Sequence, residues 1–143
     1  MRFLLVSLVG GLAVVGCRDS TSPELLSVSA TFSPSTLHSG DSATIVVTLK
    51  NHSLFRAHVS GSACPFYFQI LDQSGSPVGG NGATPCIRIL VSQTLGPGET
   101  IRETFRWVAN DFGGTPLQPG DYTLLGYCTW INGQSSEGFV IEA

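Results

Sequence analysis

The sequence predicts an all-β domain, two antiparallel sheets packed face to face, behind a short export signal. Three observations carry that prediction. Apolar residues recur at every second position, the period of a half-buried strand, and no stretch shows helical spacing. Gly, Pro, Asn, Asp and Ser interrupt the alternation at short intervals, so the extended segments are brief. Charged residues are only 12% of the chain, and the abundant Gly, Ser, Thr and Pro that replace them suit an exported β domain.

The first alternating segment is "LLSVSATF", in which Leu26, Val28, Ala30 and Phe32 interleave with Ser27, Ser29 and Thr31. After the turn-rich "SPSTLHSGDS", Ala43, Ile45, Val47 and Leu49 share one face, with Thr44, Thr48 and Lys50 on the other. "PFYFQIL" groups Phe66, Phe68 and Ile70. "DQSGSPVGGNG" then breaks the chain before a strand predicted over Ile87 to Leu95. In "ETIRETFRWV", Ile101, Phe105 and Trp107 point one way, and Glu103 interrupts that face as a strand edge or a bulge would allow. "GDYTLLGYCTWI" carries Tyr122, Leu124, Gly126, Cys128 and Trp130 on one side, and "EGFVIEA" closes the chain. Two turns, "LGPGET" and "LQPGDY", place Pro before Gly, the order a type II turn favours. About seven short strands with turns between them predict a sandwich of immunoglobulin-like type, with a small barrel as second choice. Trp107 and Trp130 are expected to fill the core.

The start of the chain reads as an address. Arg2 is a short positive region, and residues 3–16 form an uncharged apolar run. That run is short for a spanning helix, which needs roughly 20 apolar residues, and Gly10 and Gly11 weaken it further. A positive start, an apolar stretch and a small residue at its end describe a secretory signal peptide. The end, Val14-Val15-Gly16-Cys17, resembles the lipobox of bacterial lipoproteins. That resemblance implies a diacylglyceryl group on the Cys17 thiol, a cut between Gly16 and Cys17, and acylation of the new amino end. Two or three acyl chains hold a protein stably where one does not, at about 0.8 kcal/mol per buried CH₂. The competing outcome is ordinary cleavage with Cys17 left as a disulfide partner. The polar, proline-broken "RDSTSPE" that follows has a linker's composition and favours the anchor.

The expected organisation is a signal peptide over 1–16, a lipidated tether over 17–24 and one domain over 25–143. The chain would then be exported and fastened to the bacterial cell envelope, in the outer or the cytoplasmic membrane. Arg18 rather than an aspartate follows Cys17, which favours the outer membrane where one exists. The chain carries a formal net charge of −3, and loss of Arg2 makes it one unit more acidic. Lys50, Arg56, Arg88, Arg102 and Arg106 are scattered singly, so no basic stripe offers nucleic acid a footing.

Beyond Cys17 lie Cys64, Cys86 and Cys128. Export favours disulfides, and three thiols leave one over. Cys64 and Cys86 each stand just before an apolar run, which favours a Cys64–Cys86 bridge with Cys128 a buried thiol, although spacing leaves the other pairings open. Neither the cysteines nor His38, His52 and His58 show the spacing of a metal site; no metal or cofactor is expected, and the histidines read as surface residues. "HSGDS" gathers His, Asp and Ser, but a turn with local backbone hydrogen bonds explains it. Asp72, Asp111 and Asp121 also sit at turns. Neither a nucleophile elbow nor an HExxH motif is present, and no enzyme is expected.

"VTLKN" (47–51), "FYFQILDQSG" (66–75), "LGPGETIRETFRW" (95–107) and "GGTPLQPGDYTLLG" (113–126) follow in an order that resembles the BsuPI family of bacterial intracellular proteinase inhibitors. The resemblance covers residues 43–131. It implies an immunoglobulin-like fold and, for the founding member, inhibition of a serine proteinase. The export signal, the anchor and the extra cysteines depart from that family. Two functions follow as expectations: an envelope-tethered, non-catalytic binding or structural module, or a proteinase inhibitor acting outside the cytoplasm. Besides the membrane that holds Cys17, a proteinase or another envelope protein is the expected partner. Leu54, Phe55 and Arg56 in "NHSLFRAHVSGSA" are the candidate contacts; buried packing of the two apolar residues would explain them equally well.

Overall fold

Period-two burial becomes ten strands in the computed structural model, which describes residues 25–82 and 86–143. The expected signal peptide, Cys17 and the tether lie outside the described residues. Along β3 (Ser42–Asn51), Ala43, Ile45, Val47, Leu49 and Asn51 are buried while the residues between them are less so. β3 therefore sits at the centre of a three-stranded sheet, between β1 (Leu26–Ser33) and β8 (Thr100–Val108), antiparallel to both. The second sheet has five strands: β2 (Thr36–His38), β10 (Gly133–Glu142), β9 (Gly120–Cys128), β5 (Phe66–Leu71) and β6 (Pro77–Gly80), in that spatial order. Its pairs are antiparallel except β2 with β10, where the chain crosses sheets at the cis Ser33–Pro34 bond.

The inner faces meet in one core. Phe32 of β1 and Phe139 of β10 stack at 3.9 Å across the sheets, and Trp107 meets both edge-on at about 6 Å. Gly126 packs tightly against the other sheet: a Cβ there would stand 2.5 Å from the Ala30 methyl. At the start of β9 the Tyr122 hydroxyl donates to the Gln118 carbonyl at 2.8 Å. This is the tyrosine corner that marks immunoglobulin-like sandwiches. With β1–β3–β8 facing β10–β9–β5, the fold is an immunoglobulin-like β-sandwich.

Four local expectations need correction. Strand count exceeds the predicted seven or so, because β2 and β6 are too short to show alternation and β4 (Ala57–Ser62) has Val59 as its one buried large side chain. The strand expected over 87–95 begins only at Leu90, as β7 (Leu90–Leu95), because its partner β4 ends opposite at Ser62. The two Pro-Gly turns also differ. At 96–99, Gly98 takes a φ of 72° and Glu99 N donates to Gly96 O, as type II requires. At 118–121 the Gln118 carbonyl is bonded instead by Tyr122. Trp107 is buried, whereas Trp130 is half-buried at the end of the core.

Candidate interaction surface

β4 and β7 form a two-stranded sheet of their own at the end of the sandwich where β3 finishes. Val59 and Leu95 turn inward and are buried, and His58, Ser60, Ser92 and Thr94 face outward. Cys64 and Cys86 are joined in a disulfide just beyond β4, 22 residues apart in sequence. The Trp130 indole donates to Ser62 O at 2.8 Å, and its ring lies over Gly61, where a Cβ would come 2.6 Å from Cδ1. The disulfide and the tryptophan thus hold the pair against β5 and β9. Cys128 is a buried free thiol, and its burial pushes its pKa upward.

The loop between β3 and β4 depends on one buried side chain. The Asn51 amide nitrogen donates to Phe55 O at 2.8 Å and to Leu95 O and Gly96 O at 3.1 Å. Its oxygen accepts Ser53 N at 2.9 Å, and Ser53 Oγ donates to Phe55 O at 2.7 Å. The amide's nitrogen and oxygen are both hydrogen-bonded to the loop, so its backbone is tied to a buried side chain. That arrangement leaves Leu54 85% and Phe55 73% exposed, with Arg56 exposed beside them. The buried packing that sequence allowed for these two residues is therefore absent, and all three are presented to solvent. Sequence singled out the loop but missed Asn51, whose role shows only once β7 returns to it.

A second surface had no sequence signal. The outer face of the five-stranded sheet carries no further layer among the described residues. In register there, Tyr67 of β5 and Tyr127 of β9 stack with centroids 5.6 Å apart. Gln69, Leu125, Tyr127 and Gln134 border an open depression of about 400 Å³. Desolvation raises the Tyr127 pKa, with Tyr67 adding to it. The pair escapes a sequence reading because both tyrosines occupy the off-core positions of their strands, and only the register brings them side by side.

The remaining candidates sit in local structure. His52 bonds Ser27 Oγ at 2.7 Å and His58 bonds Thr94 Oγ1 at 2.8 Å. Asp41 closes its turn by accepting His38 N at 3.0 Å. Asp111 caps its own loop through Gly113 N and Thr115 N. Asp72 accepts Ser74 and Ser76 donors, which lower its pKa.

No protein-family model matches the sequence, and no curated protein does. Solved structures do. A β-glucosidase, EmGH1 from Erythrobacter marinus, is similar over 82% of this chain and 15% of its own, at 14% identity and a TM-score of 0.50. The alkylpurine DNA glycosylase AlkC of Pseudomonas fluorescens is similar over 83% of this chain and 31% of its own, at 12% identity and 0.50. The CARDB domain of the PF1109 protein from Pyrococcus furiosus is similar over 81% and 91%, at 18% identity and 0.49. This chain therefore spans less than a third of the enzymes it aligns with. At such identity the likeness speaks to the fold alone.

Proposed function

We propose that this chain is a lipoprotein of the bacterial cell envelope whose sandwich is a non-catalytic binding module for a protein partner. Signal-like residues 1–16 and the lipobox-like end at Cys17 support the anchor. The observation that carries the binding role is the uncovered outer face of the five-stranded sheet, with its Tyr67–Tyr127 pair and amide-rimmed depression. Tyrosine is a common anchor in protein interfaces because a large, stiff, amphipathic ring loses little entropy on contact. A photo-crosslinking residue at Gln134, in the full chain in its own envelope, is expected to trap one discrete partner. The same group at Thr44, on the outer face of the other sheet, is expected to trap none. Equal trapping at both positions, or none at either, contradicts the proposal.

Proteinase inhibition of the BsuPI type is the second reading. The fixed loop 51–56 favours it, because tight inhibitors present a loop already in its bound shape. Broad-specificity serine proteinases are expected to be unaffected by micromolar chain. Stoichiometric inhibition that disappears with Leu54→Ser and Phe55→Ser would reverse the order of the two readings.

A further inference from the structure

We propose that loop 51–56 is a membrane-contact element, its Leu54 and Phe55 side chains entering the headgroup region of the bilayer that holds the anchor. This rests on the reading that Cys17 is acylated. The first argument is where the described chain begins. Leu26 pairs with Asn51, and the Leu25 carbonyl accepts His52 N at 2.8 Å. The loop therefore stands beside the point at which the N-terminal segment joins the domain. Only seven residues lie between Cys17 and Leu25, a contour of about 28 Å over the eight steps at full extension. Of the two ends of the sandwich, the Asn51 end is the one the anchor holds near the bilayer.

The second argument is the chemistry of that end. Leu54 and Leu90 are the two most exposed large apolar residues described, at 85% and 81%, Leu54 in the loop and Leu90 at the other end of the β4–β7 pair that adjoins it. Phe55 stands next to Arg56, and Arg88 lies between the exposed Ile87 and Ile89, at the far end of the β4–β7 pair. Apolar side chains flanked by guanidinium groups suit an interface whose interior is hydrocarbon and whose rim is phosphate. The one carboxylate at the neighbouring turn, Glu99, is folded back onto Gly96 N at 2.6 Å. The third argument is rigidity. Asn51 and Ser53 hold the loop's backbone, so the apolar exposure is built in and is not the sag of a slack connection. Two or three acyl chains at Cys17 fix the chain to the bilayer without setting its orientation, and a second membrane contact orients it.

The full lipidated chain, carrying Phe55→Cys labelled with an environment-sensitive fluorophore, tests this on vesicles of phosphatidylethanolamine and phosphatidylglycerol. The introduced thiol is the one available to label, since Cys64 and Cys86 are bridged, Cys128 is buried and an acylated Cys17 is blocked. Blue-shifted emission and quenching by brominated acyl chains are expected at position 55. The same label at Ser74→Cys, in the turn at the opposite end, is expected to report water. A water-like signal at position 55 on vesicle-bound chain overturns the loop contact and leaves the anchor standing. So does proteinase inhibition that depends on Leu54 and Phe55. If the N-terminal peptide proves unacylated, the anchor reading fails separately. The unmodified chain's co-sedimentation with the vesicles then decides: loss of binding with Leu54→Ser and Phe55→Ser supports the contact, and absence of binding in the parent chain overturns it.

Discussion

Asn51 concentrates more structure than any other polar residue described: it is fully buried, and its side chain ties β3 to β7 and to its own loop. Truncation to alanine would leave buried carbonyls short of donors, at a cost of about 2–3 kcal/mol. Urea unfolding of Asn51→Ala is expected to give an unfolding free energy lowered by that amount, with a correspondingly lower midpoint; an unchanged midpoint would mean that the loop holds itself. Cys128 makes a pH prediction. In the unfolded chain its thiol ionises near the ordinary 9.0, whereas burial keeps the folded thiol protonated to higher pH. Above 9.0 the unfolded state therefore binds fewer protons, so stability is intact below that value and falls as pH rises toward the folded pKa. Tyr122 and Tyr127, both raised from 10.0 chiefly by desolvation, extend the fall. Unfolding free energies at about pH 8 and about pH 10 should differ, and Cys128→Ala should reduce the difference. Sequence placed Cys128 in the core correctly because its neighbours Leu124 and Gly126 keep its phase. It could not place Asn51, since a buried amide at the end of an apolar strand looks like the start of a polar loop.

At the level of elements, β8 is an edge strand with one partner, and Glu103 lies on its core-facing side between Ile101 and Phe105. Sequence allowed a bulge or an edge there; the β3–β8 register runs without a shift, and the edge is the explanation. Desolvation raises the Glu103 pKa, a sign that the carboxylate is poorly placed for the fold. A charge on the core-facing side of an edge strand, here exposed beyond the packed core, disfavours pairing with another chain. Glu103→Thr is therefore expected to stabilise the fold by about 0.5 kcal/mol and to promote self-association in sedimentation velocity. A variant that is no more stable and stays monomeric would remove both roles. Strands with full alternation were legible: β1, β3, β5, β8 and β9 stand where their apolar phase put them. The start of β10, residues 133–136, was not, because its Gly, Ser and Gln side chains bury little. Its extended form comes from the ladder with β9. β4 was hidden for a similar reason, with Val59 its one buried large side chain.

Across the whole molecule, two ends and two faces differ in what they expose. The Asn51 end gathers the entry of the chain, the disulfide, Trp130 and the loop bearing Leu54 and Phe55. The outer face of the five-stranded sheet runs along the long axis from there and presents Tyr67 and Tyr127. A domain held by the first would leave the second facing along the membrane or away from it, open to a partner. Sequence made the fold class legible because every-second-residue burial is a local property. Surfaces such as the tyrosine pair depend on register between distant strands, which no local pattern carries. The most direct test of the anchored module is the mass of the N-terminal peptide from chain extracted from its own envelope. A peptide that begins at Cys17, with a diacylglyceryl group on its sulfur, is the expected result. A peptide that begins at Met1, or an underivatised Cys17, would contradict it.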